Sequence, residues 1–397
     1  MSELRVEAGK TVVVKGPASI ALVEGRANIL GYPMNPKRPV VVKSWRARPV
    51  YVEEDSLFRY TCGEGGGVEV VDGDTVPPEW REAVSEITQL GKVTVSVYGS
   101  IDSGKTSLAT LAANYLAAGS EAAYLDLDIG QSSVCPPTTI GYVYLRRPVP
   151  EISALRAEEG EAVGYTSPTP LVARHVEACR RLLERMRERR GEVSVVADLD
   201  GWVSGGAAVS HKLMLMETVK PTHILSIGEV PSEVRRFSEE NGVELKELPQ
   251  PPIVRRREPE ARKRLREMSY ERFLRRSAVR RLQASWVELE SIGGERRPRT
   301  VFEKAVGLAS SYLEEQGLIA DAEGPKLLEE LARKRVGILS YVYGLDGRFR
   351  AIGLLMALNL QKNYLKIYTP FQEQIKRLVV GSIVLSASGE ELYSTPP

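Results

Sequence analysis

The sequence predicts an α/β protein with a parallel-sheet core, an N-terminal β-sandwich domain before it and a mainly β domain after it. Three observations carry that expectation. Residues 99–106 read Gly-Ser-Ile-Asp-Ser-Gly-Lys-Thr, a glycine-framed turn between a buried strand ("KVTVSVYG") and an Ala/Leu helix ("GKTSLATLAANYLAAG"). Strand and helix textures then alternate, through "AAYLDLD", "VARHVEACRRLLERMRERRG", "VSVVADLD" and "THILSIG", which implies βαβ units and a sheet covered on both faces. Outside that stretch the texture is short Val/Ile/Ala runs broken by Gly and Pro.

With 397 residues the chain has room for two or three domains of roughly 150 residues each. The turn-rich "VDGDTVPPEW" (residues 71–80) ends the first β region. The boundaries drawn are 1–80, 81–276 and 277–397, with an arginine-rich segment over 255–276 closing the middle domain. Beyond it, "TVFEKAVGLASSYL", "KRVGILSYVYGLDGRFRAIGLLMALNLQKNYLKIYTP" and "VVGSIVLS" are expected to be mainly β.

Composition narrows the function. The formal net charge of +2 excludes a chain that is basic all over, so any surface for nucleic acid must be local. Cys62, Cys135 and Cys179 are far apart, and with His175, His211 and His223 they form no metal-ligand spacing and no disulfide framework. Cys135, Cys179, His175 and His211 are therefore expected to be packing or surface residues, and the cysteine spacing suits a reducing, cytoplasmic setting. No apolar run is long enough to span a bilayer, and the first ten residues do not resemble a signal peptide. The Arg- and Glu-rich charged fraction suits a heat-loving source.

The motif at Gly99–Thr106 is that of a P-loop. Its glycines let successive N–H groups turn inward onto phosphate oxygens, and the following helix presents its positive end to the same anion. Gly99, Ser100, Ile101, Asp102, Ser103, Gly104, Lys105, Thr106 and Ser107 are the expected nucleotide cradle. Lys105 reaches the β- and γ-phosphates, and Thr106 offers its hydroxyl to Mg²⁺. No Asn/Thr-Lys-x-Asp base reader follows "THILSIG", which argues against a guanine-nucleotide switch. At the end of the next strand, "DLDIGQ" places Asp126 and Asp128 on one face. There they can organise the metal or take a proton from a nucleophile, and Gln131 can fix a metal-bound water or the attacking group.

The ordered set "GSIDSGKT", "DLDIGQ", "TSPTP" and "DLDGWV", followed by the arginine-rich helix, resembles one family over nearly the whole chain: the polynucleotide 5′-hydroxyl kinases of RNA 3′-end processing, ribosomal RNA processing and tRNA splicing, with their archaeal relatives. "AGKTVVVKGPASIALVEG" and "KNYLKIYTP" extend the likeness to both β domains. The resemblance implies ATP and Mg²⁺ at Lys105 and Thr106, with Asp128 the catalytic carboxylate and a second metal-side group. It implies that Trp202 packs against the substrate base, opposite Thr166 or Ser167. It also implies a lid of arginines over the phosphates, and Arg257, Arg262 and Arg266 reproduce the spacing of five then four.

Two departures stand out. Asp198 replaces an Asn of the relatives and adds negative charge near an anionic substrate, and Ser269 replaces a basic lid position. The run "RRREPEARKRLREMSYERFLRRSAVRR" holds twelve Arg/Lys against four Glu, a bias that suits a visiting anion. Arg255, Arg256, Arg275, Arg276, Arg280 and Arg281 are expected to be solvated or to touch an RNA backbone. The expected activity is transfer of the γ-phosphate of ATP to a 5′-hydroxyl end of RNA or DNA, with no membrane and with protein partners open. The competing expectation is an ATP-bound scaffold of an RNA-processing assembly that transfers nothing.

Overall fold

The computed structural model describes residues 2–36, 38–253, 257–317 and 324–397. The N-terminal strands are β1 (Ser2–Val6), β2 (Lys10–Lys15), β3 (Ala18–Ile29), β4 (Tyr32–Pro33), β5 (Val40–Val42), β6 (Ala47–Cys62) and β7 (Gly67–Asp72). They form one antiparallel sheet in the order β4-β3-β6-β2-β7, with β1 on β6 and β5 on β3. The two long strands β3 and β6 carry the sheet. Their mutual register slips three times between Leu22 and Ala27, and such bulges bend a strand. Alternating residues such as Ile20 and Leu22 fill the interior.

Helix α1 (Pro78–Thr88) opens on a proline at a position where the missing N–H costs nothing. The core follows as β8 (Thr94–Gly99), α2 (Lys105–Gly119), β9 (Ala122–Leu127), β10 (Thr139–Leu145), β11 (Glu159–Ala162), α3 (Val172–Arg190), β12 (Ser194–Leu199), α4 (Gly206–Val219), β13 (His223–Ile227), α5 (Ser232–Asn241) and β14 (Glu244–Leu248). The strand order is β11-β10-β9-β12-β8-β13-β14, and the run from β9 to β14 is parallel. β8 lies between β12 and β13, so the chain leaves it first to one side and then to the other. A crevice opens at the carboxyl ends of the strands at such a switch point. β8, β9, β12 and β13 are buried almost throughout, which is why they read as continuous apolar runs.

The last elements are α6 (Pro259–Leu274), β15 (Ala278–Leu282), β16 (Glu288–Ser291), α7 (Pro298–Glu315), α8 (Pro325–Arg333), β17 (Val336–Tyr343), β18 (Phe349–Asn359), β19 (Tyr364–Thr369), β20 (Arg377–Ser386) and β21 (Glu391–Ser394). Their sheet runs β15-β19-β18-β17-β20-β16, with β21 on β20. Ile338, Val342 and Leu355 face α7 and α8, whereas Leu339, Tyr341, Leu354 and Ile352 face Tyr270 and Leu274 of α6. The period-two alternation thus buries both faces, each against helix.

"TVFEKAVGLASSYL", expected as β, is the body of α7. Val301, Ala305, Leu308, Ala309, Tyr312 and Leu313 are buried at helical spacing, and Pro298 starts the helix. Arg257, expected on the arginine helix, precedes it. Pro259 is its first residue, and the position before a proline avoids the helical region. Arg280 and Arg281 lie on β15, where Arg280 Nη1 donates to Phe371 O and Glu373 O, and Arg281 stacks over Tyr364. Arg275 and Arg276 are exposed beyond the helix end, and Arg255 and Arg256 lie outside the described residues. No helix among the described residues is long and apolar enough to cross a membrane.

The chain divides into two compact units. One is Met1–Leu127, Tyr142–Arg156 and Leu183–Ala261; the other is Asp128–Gly141, Ala157–Leu182 and Arg262–Pro397. In the first, Asn114 of α2 is fully buried and pins the N-terminal sheet to the core. Its Nδ2 donates to Leu30 O (2.8 Å) and Val149 O (2.9 Å), and its Oδ1 accepts from Val149 N (2.8 Å). The buried Glu151 adds a second tie to Arg46 (3.5 Å) and Arg48 (3.0 Å). Asn114→Ala removes three hydrogen bonds at once and strands buried partners. It is expected to lower unfolding stability by roughly 2–3 kcal/mol, measured by denaturant titration, with the far-ultraviolet spectrum unchanged.

Candidate active site

The turn between β8 and α2 is built for close approach. Gly104 sits at φ 107°, and a Cβ there would meet the ring of Trp80 at 3.1 Å and Pro251 at 3.3 Å. Trp80 is itself locked by its indole N–H on Pro249 O, 2.9 Å. Lys105 is buried, and its Nζ donates to Ser100 O across the loop at 2.7 Å. Ser103 is buried with its Oγ lacking a hydrogen-bond partner among the described residues, whereas Ile101 is exposed at the tip.

Thr106 is tied to a carboxylate, and that carboxylate is Asp198. Thr106 Oγ1 donates to Asp198 Oδ2 at 2.8 Å, and Tyr124 Oη donates to the same oxygen at 2.7 Å. Asp198 lies on β12 in register with Val97 of β8 and Asp126 of β9. Burial pushes its carboxyl above the usual range, opposed by the Lys105 charge and the two hydroxyl bonds. Its Oδ1 is buried without a hydrogen-bond partner among the described residues. A hydroxyl beside a carboxylate with an unused oxygen is a hard donor set that fits Mg²⁺.

In the sequence alone Asp198 stands out only as added charge. The signal that identifies it is the run Ser194–Ala197 ending in Asp198, an acid at the carboxyl end of a buried strand beside the phosphate-loop strand. Asp126 is buried within β9.

Beyond β12 the chain turns at Asp200. Its Oδ1 accepts from Trp202 N at 2.9 Å, and its Oδ2 pairs with Lys212 Nζ at 2.6 Å. A Cβ on Gly201 would meet Ile101 Cα at 2.9 Å and N at 3.0 Å, so only glycine lets this turn touch the phosphate loop. Trp202 is half-buried, with its ring centroid 5.6 Å from that of His211. Burial and the Lys212 charge lower the His211 pKa to about 4. His211, His175 and Asp200, all buried, each offer a ligand atom within 4.8 Å of the others, a grouping that sequence spacing does not reveal.

Arg257 also belongs to this first unit. Its N–H and Nη1 each donate to the carboxylate of Asp102, both at 3.0 Å. Asp102 adopts a left-handed φ of 57° at the loop apex, which an Asp side chain tolerates better than most.

The second unit begins with Asp128, the residue directly after β9. Its Oδ1 accepts from Gly130 N and Gln131 N, both at 2.9 Å, which closes the turn around the carboxylate. Gln131, expected near a metal-bound water, donates from Nε2 to Arg262 O at 3.1 Å and so ties this turn to α6. Thr166 lies alongside, because a Cβ on Gly130 would meet Thr166 O at 3.1 Å. Ser167 instead shares its hydroxyl with Thr169 Oγ1 (3.2 Å) in the short turn that follows.

The two α6 arginines expected in the lid differ. Arg266 forks onto Glu391, with Nε to Oε1 at 2.7 Å and Nη2 to Oε2 at 2.8 Å. Arg262 has no carboxylate partner among the described residues. Helix and turn are both seated on the C-terminal sheet, the helix through Tyr270 and Leu274, the turn through Thr138 Oγ1 on Tyr341 Oη at 2.7 Å.

This fold and loop define a P-loop protein with a nucleotide-binding core. Residues 99–276 match the family described as the mRNA cleavage and polyadenylation factor CLP1 P-loop. The chain is 27% identical over 343 residues to a polyribonucleotide 5′-hydroxyl kinase of Thermococcus kodakarensis, covering 80% of this chain and 95% of that one. It is 25% identical over 342 residues to a kinase of the same description from Pyrococcus horikoshii, covering 80% and 93%. The Clp1p chain of a wild-type Clp1p–Pcf11p complex superposes with a TM-score of 0.69, over 96% of this chain and 97% of that one, at 11% identity. At that identity the likeness is one of fold.

Proposed function

We propose that this protein is an ATP-dependent polynucleotide 5′-hydroxyl kinase acting on RNA ends. The observation that carries the proposal is the Gln131–Arg262 bond. It joins the Asp128 turn, through the Arg262 carbonyl oxygen, to a helix arginine whose side chain has no acid partner among the described residues. A loop that only bound ATP would need neither group. The archaeal relatives named polyribonucleotide 5′-hydroxyl kinases support the same activity.

In this reading the phosphate loop holds the triphosphate and Lys105 neutralises its β- and γ-oxygens. Thr106 and Asp198 hold Mg²⁺, which when bound offsets charge on those same oxygens. Asp128 accepts the proton of the 5′-hydroxyl as its oxygen attacks the γ-phosphorus. The bond from that phosphorus to the β–γ bridging oxygen breaks and ADP leaves. Arg262 donates to the transferred oxygens as charge spreads over them. Trp202 stacks on the terminal base, worth about 1–3 kcal/mol by substitution and tolerant of sequence. Thr166 supplies the other side of that base, because the Ser167 hydroxyl is engaged in its own turn.

Transfer from γ-labelled ATP to a 5′-hydroxyl oligoribonucleotide tests this. Lys105→Ala is expected to abolish labelling. Asp128→Asn is expected to bind ATP normally and to lower kcat by roughly 10²–10⁴-fold, the usual loss for a missing general base. Unlabelled RNA with the intact protein, or undiminished labelling with Asp128→Asn, would sink the assignment.

The helix arginines separate by partner. Arg262→Ala should lower kcat with little change in melting temperature or either KM, since its contact forms only as charge redistributes. Lysine should rescue it poorly, having no planar fork. Arg266→Ala should lower the melting temperature, because it strands Glu391 in a partly buried site. Equal kcat losses without a stability difference would show that the Arg266–Glu391 fork opens during turnover.

A further inference from the structure

Asp200, Lys212 and His211 form a buried polar cluster that the transfer chemistry above does not use. Lys212 and His211 are fully buried and Asp200 nearly so. The two carboxylate oxygens of Asp200 are engaged separately. Oδ2 takes the ammonium of Lys212 at 2.6 Å, and Oδ1 takes the backbone N–H of Trp202 at 2.9 Å. Lys212 Nζ also lies 3.3 Å from His211 Nδ1, and the His211 ring is the aromatic surface against which Trp202 leans, tilted by 35°.

Taking two charges out of water is expensive, and well-packed apolar residues of the same size are often at least as stable. Stability alone therefore does not explain a lysine buried in the middle of α4. The surroundings of Trp202 supply a reason. Downstream the chain is Val203, Ser204, Gly205 and Gly206, exposed from Ser204 onward, with Gly205 at φ 90°. Such a segment does not hold a large ring in one place. Upstream, Gly201 abuts Ile101 of the phosphate loop. Among the described residues the N–H bond to Asp200 and the His211 ring both hold Trp202, and the Lys212 ammonium pairs with that same acceptor group.

We propose that Asp200 is the positioning residue for the acceptor end: with Lys212 as counter-charge and His211 as backing, it sets the height and angle of the Trp202 platform on which the terminal base of a polynucleotide stacks. This rests on the kinase reading of the site. It adds that recognition of the acceptor is governed by an ion pair that touches neither substrate. The acceptor class follows: a flat base without a required hydrogen-bond pattern, because the platform is a ring held from behind.

Two double variants isolate the effect. Asp200→Asn with Lys212→Met removes both charges but keeps an oxygen that accepts from Trp202 N. Asp200→Ala with Lys212→Met removes the charges and the acceptor. Kinetics with a 5′-hydroxyl oligoribonucleotide, alongside Trp202→Ala, give the readout. The expected result is near-normal oligonucleotide KM for the Asn/Met protein. For the Ala/Met protein the expected rise is roughly tenfold, the lower part of the range for a lost stacking contact, with KM for ATP unchanged.

Equal oligonucleotide KM values for the two double variants, with Trp202→Ala impaired, would overturn the positioning role and leave the kinase reading intact. A parallel rise in both KM values would mark the cluster as merely structural and overturn the proposal too. An unimpaired Trp202→Ala protein would remove the stacking platform itself. Should the double variants fail to fold, His211→Leu serves instead, since it fills a similar volume without the ring and leaves the Asp200–Lys212 pair in place. A raised oligonucleotide KM supports the proposal, and an unchanged one overturns it.

Discussion

One oxygen of Asp198 accepts from Thr106 and Tyr124 together, and the nucleotide side of the site depends on that junction. It fixes the first turn of α2 to β12, with β9 contributing the tyrosine. Three elements of the parallel sheet and its helix therefore share one buried anion. The carboxylate lies where water is excluded, which raises the cost of its charge and strengthens its attraction to Lys105. A group in that condition stabilises a cation well, provided the cation arrives already in register. The sheet provides the register, because Val97, Asp198 and Asp126 lie side by side across three parallel strands.

The second unit is organised by a different device. The turn that begins at Asp128 and the helix that carries Arg262 are both anchored on the C-terminal sheet, through Tyr341 and through Tyr270 and Leu274. The C-terminal β region is thus the platform that holds a carboxylate turn and an arginine helix in one compact unit. The period-two pattern of β17 and β18 makes this possible, since one face takes α7 and α8 and leaves the other for α6. The arginine excess of α6 is accordingly mixed in purpose, with Arg266 spent on Glu391 and Arg262 left without an acid partner among the described residues.

Much of this is legible in the sequence because it is local. The phosphate loop is written in eight consecutive residues, and the α/β core follows from strand and helix textures that alternate over short windows. What escapes is what depends on distant partners or on competing periods. Arg266 and Glu391 are 125 positions apart, so no spacing rule joins them. Asp198 is legible as an acid but not as the partner of Thr106, 92 positions away. Helix α7 reads as strand because its Val, Thr, Phe and Tyr suit strands in composition, whereas the spacing of its buried residues is helical. Arg257 fits the five-then-four spacing of the family, yet Pro259 cuts the helix short, and its partner is Asp102.

In the proposed function Asp198 organises the metal side of the nucleotide site. Calorimetric titration of ATP into wild-type protein and Asp198→Ala, each with and without Mg²⁺, measures this without any transfer step. Similar metal-free ATP affinity is expected in both proteins. The Mg²⁺-dependent gain in affinity is expected to be smaller by about tenfold or more in the variant, equivalent to about 1.4 kcal/mol. An equal Mg²⁺-dependent gain in the two proteins would contradict the claim.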